Sequence, residues 1–129
     1  NLIEGVLGTG DGKGRVVETP IGALPCMADG EPAGLTAGGR AFAVIRPEAI
    51  RVDLGRGWQP GAVDQIVSGQ VTSVDFGGST TVAVIEAVGA GGAVPLRVKL
   101  PSRAEGPPMN PGDRVRLGWR AGDCRLIAG

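Results

Sequence analysis

Glycine and proline punctuate this chain so densely that its longest stretch free of both is STTVAVIEAV, residues 79–88. Helices shorter than about 12 residues are marginal on their own, and this stretch is rich in β-branched side chains that suit a pleated strand. Long helices are therefore excluded, and the 24 glycines and 10 prolines read as turns between short strands. Leu96, Val98 and Leu100 alternate with Arg97 and Lys99, and Val115, Leu117 and Trp119 with Arg114 and Arg116. That period of two is the mark of a half-buried strand. Residues 41–45 are apolar on both faces, which predicts a strand covered on both sides or a barrel stave near a partner surface. GTGDGKG (8–14), GG (77–78), GAGG (89–92) and NPGD (110–113) supply hairpin turns. In the last, proline second and glycine third predict a type II turn. Short strands at this spacing predict an all-β barrel or sandwich.

The segment AFAVIRPEAIRV, residues 41–52, breaks an apolar strand with Arg46-Pro47-Glu48 and then resumes. Proline cannot donate to a sheet ladder, so the wedge marks a corner. The corner has a double. LTAGGRAFAVIRPEAIRV (35–52) lies without a gap over MNPGDRVRLGWRAGDCRL (109–126), matching Gly38 with Gly112, Arg40 with Arg114, Arg46 with Arg120 and Arg51 with Arg125. Ala41/Val115, Ile45/Trp119 and Val52/Leu126 keep the apolar positions. Turn, strand, corner and short return strand thus recur in one order, predicting a pseudo-repeat of two β lobes. The Gly/Pro-rich stretch DLGRGWQPGAVD (53–64) separates them, placing lobe A at about 1–56 and lobe B at about 63–129 and leaving strands free to intertwine. Trp58 within it is expected to plug the core or meet an interface.

Several chemistries are excluded. With no histidine, neither a Ser/His/Asp nor a Cys/His nucleophile system can form within the chain. Its two cysteines, Cys26 and Cys124, are too few for a four-ligand zinc site. They read as buried small hydrophobes rather than a disulfide, in a reducing compartment, because nothing signals secretion. GTGDGKG fails as a P-loop, since Leu7 stands where the first glycine belongs and Gly14 where Ser/Thr should follow Gly12-Lys13. The thirteen Asp/Glu are spread over many turns, and which of them converge is not legible. Asp11, Asp29, Asp113 and Asp123 sit beside glycine, where Asp caps a turn. Thirteen Lys/Arg against thirteen Asp/Glu give no general attraction to nucleic acid or anionic lipid. Residues 97–129 carry seven Lys/Arg against three Asp/Glu, read as a solvated basic face. Only Phe42, Phe76, Trp58 and Trp119 could stack on bases. Arg46 and Glu48 are expected to pair locally and fix the corner. No apolar run is long enough to cross a bilayer, and a chain beginning at Asn1 suggests a piece of a longer polypeptide.

The order NLIEGVL, ETPIGAL, GGRAFAVIRPEAIRV, GQVTSVDFGGSTTVAV, PLRVKLP, NPGDRVRLGWRAGDCRLI resembles the carboxy-terminal regulatory region of ATP-binding subunits of bacterial ABC importers, the TOBE (transport-associated OB-like) domain. The resemblance covers nearly all of residues 1–129. It rests most on Arg46-Pro47-Glu48, on Phe76-Gly77-Gly78-Ser79 after Gly69-Gln70-Val71, and on Pro111-Gly112-Asp113 followed by a strand ending at Trp119. It implies all-β, OB-like/MOP-like barrel lobes and a non-catalytic regulatory and dimerisation role. Arg46, Pro47, Glu48, Phe76, Gly78 and Trp119 are the implied motif and interface residues, with no catalytic, cofactor-binding or metal-binding residue among them. The implied partners are a twin subunit (a homodimer), the N-terminal ATPase domain of the same polypeptide and, through it, a transmembrane permease, on the cytoplasmic face of the membrane. ATP and Mg²⁺ would belong to the ATPase domain upstream of Asn1, none to this chain, and no nucleic acid is expected. A polyamine or ferric iron importer is the implied parent. Val44 stands where many relatives have glycine, Cys124 where they vary, and no Ser-Ala-Arg-Asn motif occurs, so molybdate or tungstate binding is not expected. Two rival readings are an oligonucleotide-binding OB module using Arg97, Lys99, Arg114 and Arg116, and a small-anion sensor with its ligand between the lobes.

Overall fold

A computed structural model of the chain describes residues 1–8, 15–27, 38–53, 57–101 and 109–128. Strands β1 (Leu2–Leu7), β2 (Arg15–Thr19), β3 (Gly22–Cys26) and β4 (Arg40–Ile45) lead into a single 3-10 turn, Pro47–Ala49, and the short β5 (Arg51–Asp53). The series then repeats as β6 (Gln65–Gly77), β7 (Thr80–Gly89), β8 (Gly92–Pro101), β9 (Arg114–Trp119), a second 3-10 turn at Ala121–Asp123, and β10 (Cys124–Ala128). Among the described residues there is no α-helix. The tip of the glycine-rich hairpin, residues 9–14, lies outside them.

The strands form two five-stranded sheets, β10-β4-β1-β2-β3 (sheet A) and β5-β9-β6-β7-β8 (sheet B). Each sheet takes four strands from one lobe and its remaining strand from the other. After its corner β5 leaves lobe A and pairs with β9, Arg51 opposite Gly118 and Asp53 opposite Arg116. After the second corner β10 leaves lobe B and pairs with β4, Cys124 opposite Ile45 and Ala128 opposite Ala41. The short return strands seen in the sequence are thus exchanged between lobes. Sheet A closes on itself where Met27 N–H donates to Cys124 O (2.9 Å) and Leu126 N–H to Met27 O (3.3 Å), so β3 runs parallel to β10 and the sheet has no open edge at that point.

The repeat extends beyond the 18 overlaid residues. Leu7 exchanges hydrogen bonds with Gly38 and Gly39, as Val71 does with Gly112 and Asp113 (2.7–2.9 Å). NPGD forms the expected turn: Gly112 has φ +95°, Asp113 N–H donates to Asn110 O (3.1 Å), and Asp113 Oδ2 accepts from Asn110 N–H (2.9 Å). Alternation decides which side chains go inward. Ile3, Leu7, Val17, Leu24, Ala43 and Ile45 fill lobe A, and Val67, Val71, Ile85, Leu96, Val98, Leu117 and Trp119 fill lobe B. The hairpin tips of the two lobes meet where Gly91 N–H donates to Pro20 O (3.0 Å).

Candidate functional site

The Arg-Pro-Glu wedge is the point at which the chain changes sheets. Arg46 (φ −69°, ψ 142°) and Arg120 (φ −88°, ψ 146°) enter their corners in extended conformation. One hydrogen bond closes each, Ala49 N–H to Arg46 O (3.0 Å) and Asp123 N–H to Arg120 O (2.9 Å). Pro47 takes the first helical position, where a missing N–H costs nothing. Asp64 Oδ2 accepts from Ala121 N–H (2.9 Å) and steadies the second corner. The first corner packs on β8 of the other lobe and the second on β3, so both serve the contact between lobes. Arg46 and Glu48 are exposed, and no ion pair joins them among the described residues. Two residues apart on a 3-10 turn, they point to different sides, which corrects the expected local pair. Between the corners lies a cleft of about 370 Å³ lined by Val44, Arg46, Ala49, Gly122, Asp123 and Arg125.

The other motif residues lie on separate elements. Phe76 is 68 % exposed and Gly78 (φ +66°) makes the turn beside it, at the end of the β6–β7 hairpin. Trp119 is 1 % exposed. It occupies the core position equivalent to Ile45, so its side chain is no contact for a partner. Among the described residues its Nε1 has no acceptor.

Sheet A presents an open apolar face. Register sets Leu2, Val44 and Arg125 in one row and Glu4, Phe42 and Ile127 in the next. Leu2 is 62 %, Val6 47 % and Ile127 43 % exposed, and Phe42 and Val44 are half-buried. Arg40 pairs with Glu4 (2.6 Å) and stacks over the Phe42 ring (5.3 Å). The equivalent face of sheet B is covered in part, over β9, while Ile66 and Val88 on that face are 47 % and 50 % exposed. Gly118 stands at the place of Val44, and a Cβ there would lie 3.1 Å from Trp58 and 2.9 Å from Val63. Trp58 and Val63 therefore lie on the outward face of β9, and Trp58 covers sheet B from outside where a plug of the core or an interface contact was expected.

Arg116, at the place of Phe42, stacks on Trp58 (5.5 Å) and donates to Asp53 Oδ2 from Nη2 (2.6 Å) and Nε (3.2 Å). Asp53 Oδ1 accepts from Gly57 N–H (2.9 Å). This buried carboxylate latches exchanged strand β5 to sheet B. Nothing in the local sequence signals the pair, because its partners lie 63 residues apart. Arg97 and Lys99 are on β8 and Arg114 and Arg116 on β9, with β6 and β7 between them. At about 4.8 Å per strand the two sets stand about 14 Å apart across the sheet.

Cys26 and Cys124 are both buried and free, with their sulfurs 2.9 Å apart. The hydrogen bond shared with Cys124 holds the Cys26 thiol below its usual range against the opposing effect of burial. The same bond, reinforced by burial and by the charge on Cys26, pushes Cys124 well above it.

A family model for the TOBE domain matches residues 43–127, from within β4 through the whole of lobe B to β10. The chain belongs to the TOBE domain family. The resemblance read from the motifs is therefore borne out. Along its whole length this TOBE chain is 29 % identical to the spermidine/putrescine import ATP-binding protein PotA of Rubrobacter xylanophilus, over 130 residues. It spans about a third (32 %) of that relative's length. A solved structure of the cytoplasmic molybdate-binding protein ModG with molybdate bound superposes with a TM-score of 0.77, covering 100 % of this chain and 96 % of ModG at 16 % identity. That likeness shows the shared fold, the OB-like/MOP-like pair of lobes expected from the sequence.

Proposed function

We propose that this TOBE domain is a non-catalytic regulatory and dimerisation module of the ATP-binding subunit of an ABC importer, of the polyamine or ferric iron class. The observation that carries the pairing role is the open face of sheet A. Leu2, Val6, Phe42, Val44 and Ile127 form a continuous patch, whereas on sheet B the place of Val44 is taken by Gly118 beneath the chain's own Trp58 and Val63. The patch contains both an acid and a base, Glu4 and Arg40. A second copy turned about a twofold axis would set each charge against its opposite, as an isologous interface requires. Paired domains on the cytoplasmic side would tether two ATPase domains while these open and close at the permease, raising the effective concentration of one for the other. ATP and Mg²⁺ would act in the ATPase domain, not here. The likeness to PotA supports the polyamine reading.

The test is sedimentation and ATPase measurement on the parent subunit with and without residues 1–129, and on the parent carrying Phe42→Glu with Ile127→Lys. Weaker subunit association on deletion and in the double variant is expected. Unchanged association and regulation in both would refute the reading.

The cleft between the corners favours a second reading, a small-anion sensor, since Arg46 and Arg125 flank it. Calorimetry with molybdate, sulfate and phosphate decides that point, and Arg46→Ala should abolish any heat of binding. The oligonucleotide reading lacks such support, because its four cations divide between two separated strands and Arg116 is engaged by Asp53. Salt-dependent binding of single-stranded RNA would restore it.

A further inference from the structure

We propose that Cys26 and Cys124 are a thiol-oxidation site, closing under a low-molecular-weight disulfide into a bond that fastens β10 to β3. The two residues are 98 positions apart, yet their sulfurs are in contact at 2.9 Å. Each immediately precedes a member of the parallel Met27–Arg125 bridge, and Met27 N–H donates to Cys124 O (2.9 Å). Adjacent residues on neighbouring strands stand about 4.8–5.5 Å apart, inside the roughly 4.4–6.8 Å that a disulfide spans between Cα atoms. Both side chains point into lobe A, 2 % and 0 % exposed. The bond can therefore form without the backbone moving far.

Internal symmetry argues that the fold does not require thiols here. Gly22 follows the β2–β3 turn opposite Thr19, as Gly92 follows the β7–β8 turn opposite Gly89. Counting from those turns, Cys26 corresponds to Leu96, and the overlaid corners make Cys124 correspond to Ile50. Leu96 and Ile50 are 0 % and 1 % exposed. Lobe B thus satisfies the same packing with two aliphatic side chains, and the sulfur pair in lobe A adds a chemistry its twin does without.

Position in the fold assigns the order of events. Cys26, the last residue of β3 and next to the exposed Met27, is the sulfur reached first and attacks as its thiolate. It attacks one sulfur of the small disulfide, whose S–S bond breaks and releases a thiolate, leaving a mixed disulfide on Cys26. Cys124 gives its proton to solvent and attacks the Cys26 sulfur, expelling the second small thiolate. In sum two protein thiols and one small disulfide become one protein disulfide and two small thiols, with two electrons passing to the small molecule. Access is local: Cys26 ends its strand beside Met27, which is 45 % exposed, and strand ends open at little cost.

The test treats the whole chain with excess oxidised glutathione at mildly alkaline pH. An intact mass about 2 Da lower, loss of both maleimide-reactive thiols under denaturant, and a rise in Tm of roughly 10 °C reversed by a reductant are expected. The Cys26→Leu/Cys124→Ile variant, which borrows the side chains of lobe B, should fold and show no oxidant-dependent change in Tm. Two free thiols with unchanged Tm after prolonged treatment would overturn the proposal. So would a mixed disulfide that never resolves, or a covalent dimer in place of the intramolecular bond.

Discussion

Two glycines at equivalent places should respond very differently to the same substitution. Gly5 on β1 and Gly69 on β6 both lie against the second strand of their lobe. A Cβ on Gly5 would stand 2.3 Å from the backbone oxygen of Glu18 and 2.7 Å from Val17 Cγ1. A Cβ on Gly69 would meet Ile85 Cγ2 at 2.8 Å and the Glu86 oxygen at 3.2 Å. The nearest obstacle at Gly69 is a side-chain methyl and the backbone there is merely tight. Gly69→Ala should cost about 1–2 kcal/mol, an ordinary overpacking cost reduced by the lower chain entropy of the unfolded alanine variant. At Gly5 the obstacle is backbone, and β1 and β2 must separate by about an ångström. That disturbs the Val6–Glu18 and Leu7–Val17 pairing through which β2 is attached to β1. We expect Gly5→Ala to cost at least about 3 kcal/mol, at the upper end of overpacking. With an unfolding entropy of about 2 cal/mol/K per residue, a chain of 129 residues loses about 4 °C of Tm per kcal/mol. The pair should therefore differ by several degrees in a thermal melt, and by Cm at unchanged m in urea. If Gly5→Ala is as stable as Gly69→Ala, the close approach of β1 and β2 is wrong.

Further predictions follow from side chains already placed. Asp53→Ala removes a charge-assisted contact, but Arg116 is half-exposed and can return to water, so we expect a loss of about 1–2 kcal/mol in urea unfolding. A loss below about 0.3 kcal/mol would mean that the latch does not hold β5. Trp119→Phe deletes a buried N–H that has no acceptor among the described residues, offsetting part of the lost packing, and should stay within about 1 kcal/mol of the parent. A loss above about 3 kcal/mol would reveal a bonded indole. Phe76→Ser, at a position 68 % exposed, should shift stability by less than about 0.5 kcal/mol, which a melt checks directly.

What the sequence made legible was local. Glycine and proline gave the turns, and alternation gave the inward faces of β8 and β9. An ungapped overlay found the two strand-corner-strand units because those units have equal length. The first halves of the lobes repeat as well, but β1, β2 and β3 have 6, 5 and 5 residues where β6, β7 and β8 have 13, 10 and 10. No overlay without gaps could align them. Which sheet a return strand joins is decided by pairing across the chain, and nothing in Arg51-Val52-Asp53 announces β9 as its neighbour. The same holds for the contact of Cys26 with Cys124 and of Asp53 with Arg116. Adjacency in sequence misled at Arg46 and Glu48, where the backbone turn sets neighbours apart.

The interlacing of β5 and β10 bears on what could be cut from this molecule. Severed within residues 57–64, the chain would yield two fragments, each keeping one return strand that fits the other fragment's sheet and lacking the one its own sheet needs. Mixed together, the halves would complete each other's sheets. A half made alone would hold out an unfilled slot and a spare strand, and two copies could fill each other's slots by the same reciprocal exchange, closing as a dimer.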